Sequence, residues 1–145
     1  MPKKEFVRLI EMNMRAVDRM SDRLKAPTDL IGYSRQQIQL IVRLHVSGRS
    51  KLKDVARREM TPASNLCAVF KRLENDGMIL REIDKSDRRD VWYSVSAKGA
   101  KLAEQAIDLL RERVAEFFSG ISREDEIRLT AALKTINELL NKMEE

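Results

Sequence analysis

Between Thr61 and Gly77 the chain reads TPASNLCAVFKRLENDG, and its polar residues are of the types that hydrogen-bond to nucleic-acid bases. At roughly 100° per helical residue, Leu66, Val69, Phe70 and Leu73 converge on one side, while Ser64, Ala68, Lys71 and Asn75 face the other. Cys67 and Arg72 fall on the two flanks, and Asn65 borders the apolar side next to Arg72. In a major groove, asparagine suits adenine edges, and arginine or lysine suits guanine. The bland alternative is a solvated face, the commoner fate of one amphipathic helix. A second set, Lys85, Asp87, Arg88 and Arg89, lies in the polar run DKSDRRD. Arginine from such a loop suits a narrow minor groove, where the negative potential is enhanced. Asp84, Asp87 and Asp90 would repel phosphate if unpaired, so Asp87 is expected to hold one neighbouring arginine and leave the other free.

Other chemistry is poorly represented. One cysteine, Cys67, excludes an intramolecular disulfide and a cysteine-rich zinc site, and with the single histidine His45 it makes metal binding an unpromising reading. No motif pairs a nucleophile with a base or forms a phosphate loop, so no catalytic residue, metal or cofactor is expected and the chain reads as a non-enzyme. Cys67 has two readings: a small packing residue, or a thiol near a helix N-terminus whose oxidation would alter the polar face. His45, near the end of a predicted helix, reads as structural. The seven methionines would suit an adaptable small-molecule pocket, although Met12, Met14 and Met20 at helical spacing read first as core.

These side chains need elements to hold them. Phe6, Val7, Ile10, Met14, Val17, Met20 and Leu24 make a long helical stripe, and KAPTDLIGYS breaks it at Pro27 and Gly32. Ser34 caps a second helix that buries Ile38, Ile41, Val42 and Leu44 and stops at Gly48. A third helix follows in LKDVARREM, with Ser50 to Leu52 open to a short-strand reading. Thr61 is expected as the N-cap of the fourth helix, with Pro62 at its first helical position, and the helix should run to about Asn75 with Gly77 past its end. MILREI and VWYSVS then alternate as the strands of a hairpin. Helical spacing returns from Lys98 and again from Ile127, separated by SGISRED, where Ser122 and Asp125 have the spacing of a capping-box variant.

Two short helices, the second amphipathic, followed by a hairpin describe a winged helix-turn-helix. The predicted fold is mainly α with a small β-hairpin wing: a winged core over residues 34–96, flanked by N- and C-terminal dimerisation helices over residues 1–33 and 97–145. The length suits one domain overall. The formal charge of +5 and the pI near 9.5 point to an anionic partner. The basic excess is concentrated early: residues 1–48 carry 9 Lys/Arg against 5 Asp/Glu and residues 49–90 carry 11 against 8, whereas residues 91–145 carry 8 against 10. No segment approaches the roughly 20 apolar residues of a membrane span, so no membrane partner is expected and the expected location is cytoplasmic. Phe6, Val7, Ile10, Leu133, Ile136, Leu139 and Leu140 belong to stripes too extensive for the winged core to cover, and are the dimer-interface candidates. The alternative is that these helices pack only within the chain.

The stretch LENDGMILREIDKSDRRDVWYSVSAKG resembles the wing region of the MarR family of transcriptional regulators, with its "LE..GL" helix end and "D.R...V.LT..G" wing. The marks here are Leu73, Glu74, Gly77 and Met78, then Asp87, Arg89, Tyr93, Val95, Ser96 and Gly99. Tyr93 replaces a commoner aliphatic, and "VS" stands for "LT". The order of six helices and a wing matches the family over essentially the whole chain. The resemblance implies a homodimer that binds double-stranded DNA at pseudo-palindromic operators, most simply as a repressor, with a small-molecule effector as a further partner. Half-sites would lie one helical turn apart, roughly 34 Å. Thr61, Ser64, Asn65, Cys67, Ala68, Lys71 and Arg72 would form the recognition-helix surface. One departure matters: the family commonly reads "S.VTRL..RLE", and SNLCAVFKRLE puts Cys67 and Ala68 where threonine and a base-reading arginine often sit. Base reading would then rest on Ser64, Asn65, Lys71 and Arg72, with Ala68 limited to apolar contact with a thymine methyl. The competing reading is a protein-interaction module that keeps the fold and has lost operator reading.

Overall fold

The computed structural model describes residues 1–24 and 32–144, and divides into two units, Met1–Arg111 and Glu112–Glu145. The elements run α1 (Lys4–Leu24), α2 (Arg35–Ser47), β1 (Ser50–Lys51), α3 (Leu52–Arg58), α4 (Ala63–Asn75), β2 (Ile79–Ile83), β3 (Val91–Val95), α5 (Ala97–Phe117) and α6 (Arg123–Glu144). This is the predicted helical fold with a small antiparallel sheet. The expected break at Pro27 lies outside the described residues, and Gly32 beyond it has φ +75°.

Local chemistry sets most of the boundaries. Ser34 and Gln37 form a reciprocal capping box: the Ser34 hydroxyl accepts from the Gln37 N–H at 3.2 Å, and the Gln37 amide oxygen accepts from the Ser34 N–H at 2.8 Å. Gly48 ends α2 with φ +78°, a region that penalises a Cβ. In the second unit, Ser122 accepts from the Asp125 N–H at 3.1 Å, and Glu124, Asp125 and Glu126 put negative charge at the positive end of α6.

Two sequence expectations need correcting. Thr61 does not cap α4: its hydroxyl donates back to the Glu59 carbonyl at 3.0 Å, and Pro62 occupies the N-cap position with no side-chain cap. The preceding turn claims that hydroxyl, with the Thr61 N–H bonded to the Ala56 carbonyl and Met60 at φ +50°. On α2, Leu40 is buried, whereas Ile38 and Val42, expected inside, are only half-buried. The helix is apolar on two sides, and a sequence pattern does not say which side meets the core.

The core of the first unit gathers Leu40, Ile41 and Leu44 of α2, Val55 of α3, Leu66, Phe70 and Leu73 of α4, and Ile79, Tyr93 and Leu102. Phe70 and Tyr93 pack ring to ring at 4.5 Å, which seats the amphipathic helix against the sheet. The sheet has the order β1-β3-β2, antiparallel throughout, so the wing is a hairpin with a short third strand. Ser50 pairs with Tyr93 and Lys51 with Trp92, which settles the Ser50–Leu52 ambiguity: two residues of strand, then the start of α3 at Leu52. The chain leaves α4 through Gly77 at φ +73° and enters α5 at Ser96, whose hydroxyl accepts from the Gly99 N–H at 3.0 Å.

Candidate nucleic-acid interface

Helix α4 presents the polar face that its spacing requires. Leu66, Phe70 and Leu73 are fully buried, and Ser64, Asn65, Cys67, Ala68, Lys71 and Arg72 are exposed around the rest of the helix. Lys71 makes no ion pair among the described residues, so its ammonium is available to a partner. Arg72 lies 3.9 Å from Asp76 with its side chain 61% exposed, a surface contact too weak to hold the guanidinium down. Thr61 stands at the foot of the same face, half-buried.

The wing answers the question that its aspartates raised. Asp84 closes a tight turn at the loop entrance, accepting from the Ser86 N–H at 2.8 Å and the Ser86 hydroxyl at 2.7 Å, and on its other oxygen from the Trp92 indole N–H at 2.9 Å. Those bonds, the Ser86 hydroxyl's first and the Trp92 indole's next, hold its carboxyl well below the usual carboxylate range. Asp90 takes Lys51 of β1 at 2.8 Å and Lys53 of α3 at 3.2 Å, and the Lys51 bond foremost lowers its pKa. Lys51 is raised in turn, chiefly by its bond to Asp90 and against the cost of desolvation. Asp87 accepts from the Arg89 backbone N–H at 3.0 Å and lies 3.5 Å from the Arg89 guanidinium. All three carboxylates are therefore engaged. Lys85 and Arg88 are exposed and form no ion pair among the described residues, so the tip of the loop is cationic.

The sequence reading passed over the residues behind this arrangement. Arg49 stacks on Trp92, its guanidinium carbon 4.2 Å from the ring centroid, and also lies 3.6 Å from Glu82. Lys51, Lys53 and Asp90 are far apart in sequence, and a signal for them existed only in the short-strand alternative: a third strand beside VWYSVS brings Lys51 next to Trp92.

A groove of about 650 Å³ runs between α2 and α5 within the first unit. Ile38, Val42 and Val46 line one side and Ala106, Ile107 and Leu110 the other. Arg43 and Glu59, 2.7 Å apart, also border it. His45 meets Glu104 at 2.6 Å, tying α2 to α5 and giving the histidine a structural partner. Among the described residues no methionine lines this groove, and Met12 and Met14, which read first as core, are exposed. The dimer candidates Phe6, Val7, Ile10, Leu133, Ile136, Leu139 and Leu140 are all exposed, at 39% or more of their surface.

The winged unit also carries a family signature, since residues 33–91 match the model of the MarR family. Over that stretch the chain is similar to the MarR family. Its helical fold with a small antiparallel sheet is that of the winged-helix structures of that family. Over 103 residues it is 27% identical to YkoM, an uncharacterized helix-turn-helix-type transcriptional regulator of Bacillus subtilis (strain 168), spanning 71% of this chain and 67% of that protein. Wild-type MarR from E. coli in its apo form superposes with a TM-score of 0.68 at 19% identity, covering 94% of this chain and 97% of that one. FabT of Streptococcus pneumoniae, solved in complex with DNA, gives 0.62 at 18% identity, covering 96% and 95%. At these identities the structural likeness is one of fold. Gly99, read above as part of the wing pattern, has a geometric reason: a Cβ there would fall 1.9 Å from the Met78 carbonyl oxygen.

Proposed function

We propose that this chain is a regulator of the MarR kind, a homodimer that binds a pseudo-palindromic operator in double-stranded DNA and represses by occluding a promoter. The observation that carries the reading is the pairing of one exposed polar helix face, with Lys71 uncommitted, and a wing whose carboxylates are all engaged while Lys85 and Arg88 stay outside. Such a surface suits a polyanion with grooves. The helix would lie in a major groove and the wing in the flanking minor groove. Ser64, Asn65, Lys71 and Arg72 would read bases, with Thr61, Cys67 and Ala68 filling the contact surface. The exposed stripes of α1 and α6 support self-association, since apolar faces of that extent are seldom left in water. Relatives such as FabT, solved with DNA, support the partner.

The groove between α2 and α5 is the natural place for a small-molecule effector: apolar walls with Arg43 and Glu59 to orient a polar group. Among the described residues no helix is long and apolar enough to cross a membrane. The reading places the protein with its DNA in the cytoplasm, acting by binding rather than catalysis.

The test is a gel-shift series on the chain's own upstream region at rising salt. Affinity should fall steeply as neutralised phosphates regain their counterions. Binding selection on random duplexes should return half-sites other than the guanine-centred ones expected of an arginine at position 68. Salt-insensitive or sequence-blind binding would leave the interaction-module reading, which Ala68 favours, as the better one.

A further inference from the structure

The residues around Trp92 form a connected set at the root of the wing. The indole N–H bonds to Asp84 at 2.9 Å, and the indole ring carries Arg49 on its face. The Lys51 ammonium lies 5.0 Å from that ring, 3.7 Å from Asp84 and 2.8 Å from Asp90. Lys53 reaches Asp90 from α3. The set thus joins both ends of the wing loop to β1, to the α2–β1 connection and to the first helix of the helix-turn-helix. The Asp84 and Asp90 side chains are only 16% exposed and Lys51 is 22% exposed, so these ion pairs are better shielded than ordinary surface ones. Bonds to charged groups at such a site are among the stronger ones a small domain makes.

We propose that Trp92, Asp84, Asp90 and Lys51 are a clamp at the root of the wing that sets the reach of Arg88, which makes Trp92 a positioning residue for DNA recognition. The proposal rests on the DNA-binding reading above. Its logic is geometric. Lys85 and Arg88 sit exposed on the loop, and a mobile cation loses ordering entropy when it binds. A loop root locked to α3 fixes the distance between the wing tip and the recognition helix, so both arrive in their grooves together. The clamp also gives the wing's aspartates a purpose in a protein that binds a polyanion.

Trp92→Phe keeps an aromatic face for the cations but loses the pyrrole ring together with its N–H. Asp84→Asn removes the charge at the other end of the bond. Two arms are needed. In the free protein, amide hydrogen exchange at Ser86 and Asp87 should accelerate in both variants, while amides of the buried α4 core stay protected. On DNA, each variant should lose roughly tenfold in affinity, the scale of one charge-assisted hydrogen bond, with cleavage protection lost at the flanks of the site and kept at its centre. Adding Arg88→Ala to Trp92→Phe should cost little more, because the arginine is already misplaced; a double-mutant cycle measures this. Unchanged exchange in both variants overturns the clamp whatever the DNA result. Faster exchange with an additive cycle overturns the positioning role. Failure of the wild-type chain to protect any duplex defeats the DNA reading itself, and with it the positioning role, while the exchange arm still decides the clamp.

Discussion

Replacing Gly99 by alanine should be among the most damaging single-methyl changes available. Gly99 lies in the first turn of α5, where a Cβ would meet the Met78 carbonyl oxygen at 1.9 Å and its carbonyl carbon at 2.9 Å. Normal contact needs the two segments to part by more than about an ångström. Neither is free to do so. The Met78 oxygen accepts from the Ser96 N–H at 3.0 Å, and the Met78 N–H donates to the Leu73 carbonyl at 2.9 Å. The wing's start and end are stitched together at the point of collision. Overpacking costs about 1–3 kcal/mol, and loss of the Ser96 bond adds about 1 kcal/mol, so roughly 3 kcal/mol is expected from a total of about 5–15 kcal/mol. For a chain of this size that is a fall in Tm of about 6–12 °C, read by circular dichroism. The urea midpoint should drop with the slope unchanged. Gly120→Ala is the control: no atom lies within 4 Å of its Cβ, so its melting should stay close to wild type. A Gly99→Ala protein melting within about 2 °C of wild type would refute the collision argument.

Three further outcomes are expected. Lys71→Ala should weaken DNA binding on all sequences and flatten the log–log salt dependence by about one unit if the lysine meets phosphate; a shift in base preference at unchanged slope would assign it to a base instead. Ile136→Asp together with Leu140→Asp should convert a dimer to a folded monomer in analytical ultracentrifugation, and a dimer that survives would move the interface off α6. The depressed Asp84 carboxyl should give stability that is complete above its unfolded pKa of about 3.9 and is lost only as the pH falls through its lower folded value; a carboxyl titration by NMR with an ordinary midpoint would contradict the turn and indole bonds as drawn.

What could be read from the residues was whatever the local pattern repeats. Leu66, Phe70 and Leu73 declare the buried side of α4, Ser34 and Gly48 bracket α2, and the alternation of MILREI and VWYSVS declares the hairpin. What escaped was competition and distance. Thr61 has the right side chain for a cap, but its hydroxyl found the Glu59 carbonyl first, a choice made by the turn at Met60. Ile38 and Val42 look as buried as Ile41 until the place of α5 is known. Lys51 and Asp90 meet only because β1 joins the sheet, and no spacing rule links them. The same applies to the wing's charge balance: three aspartates in a nominally DNA-facing loop look like a contradiction in one dimension. They cease to be one when two of them turn toward the wing's root and the third holds Arg89.

Trp92 is the only tryptophan in the chain. Its indole sits between a guanidinium and a carboxylate at the hinge of the wing, so the protein's whole tryptophan emission comes from one place, and that place is beside the surface argued to meet DNA. No label is needed to watch it. Stopped-flow fluorescence can follow the wing alone while anisotropy of a dye-labelled operator follows binding as a whole, and the two clocks will agree only where docking of the helix and seating of the wing are a single event.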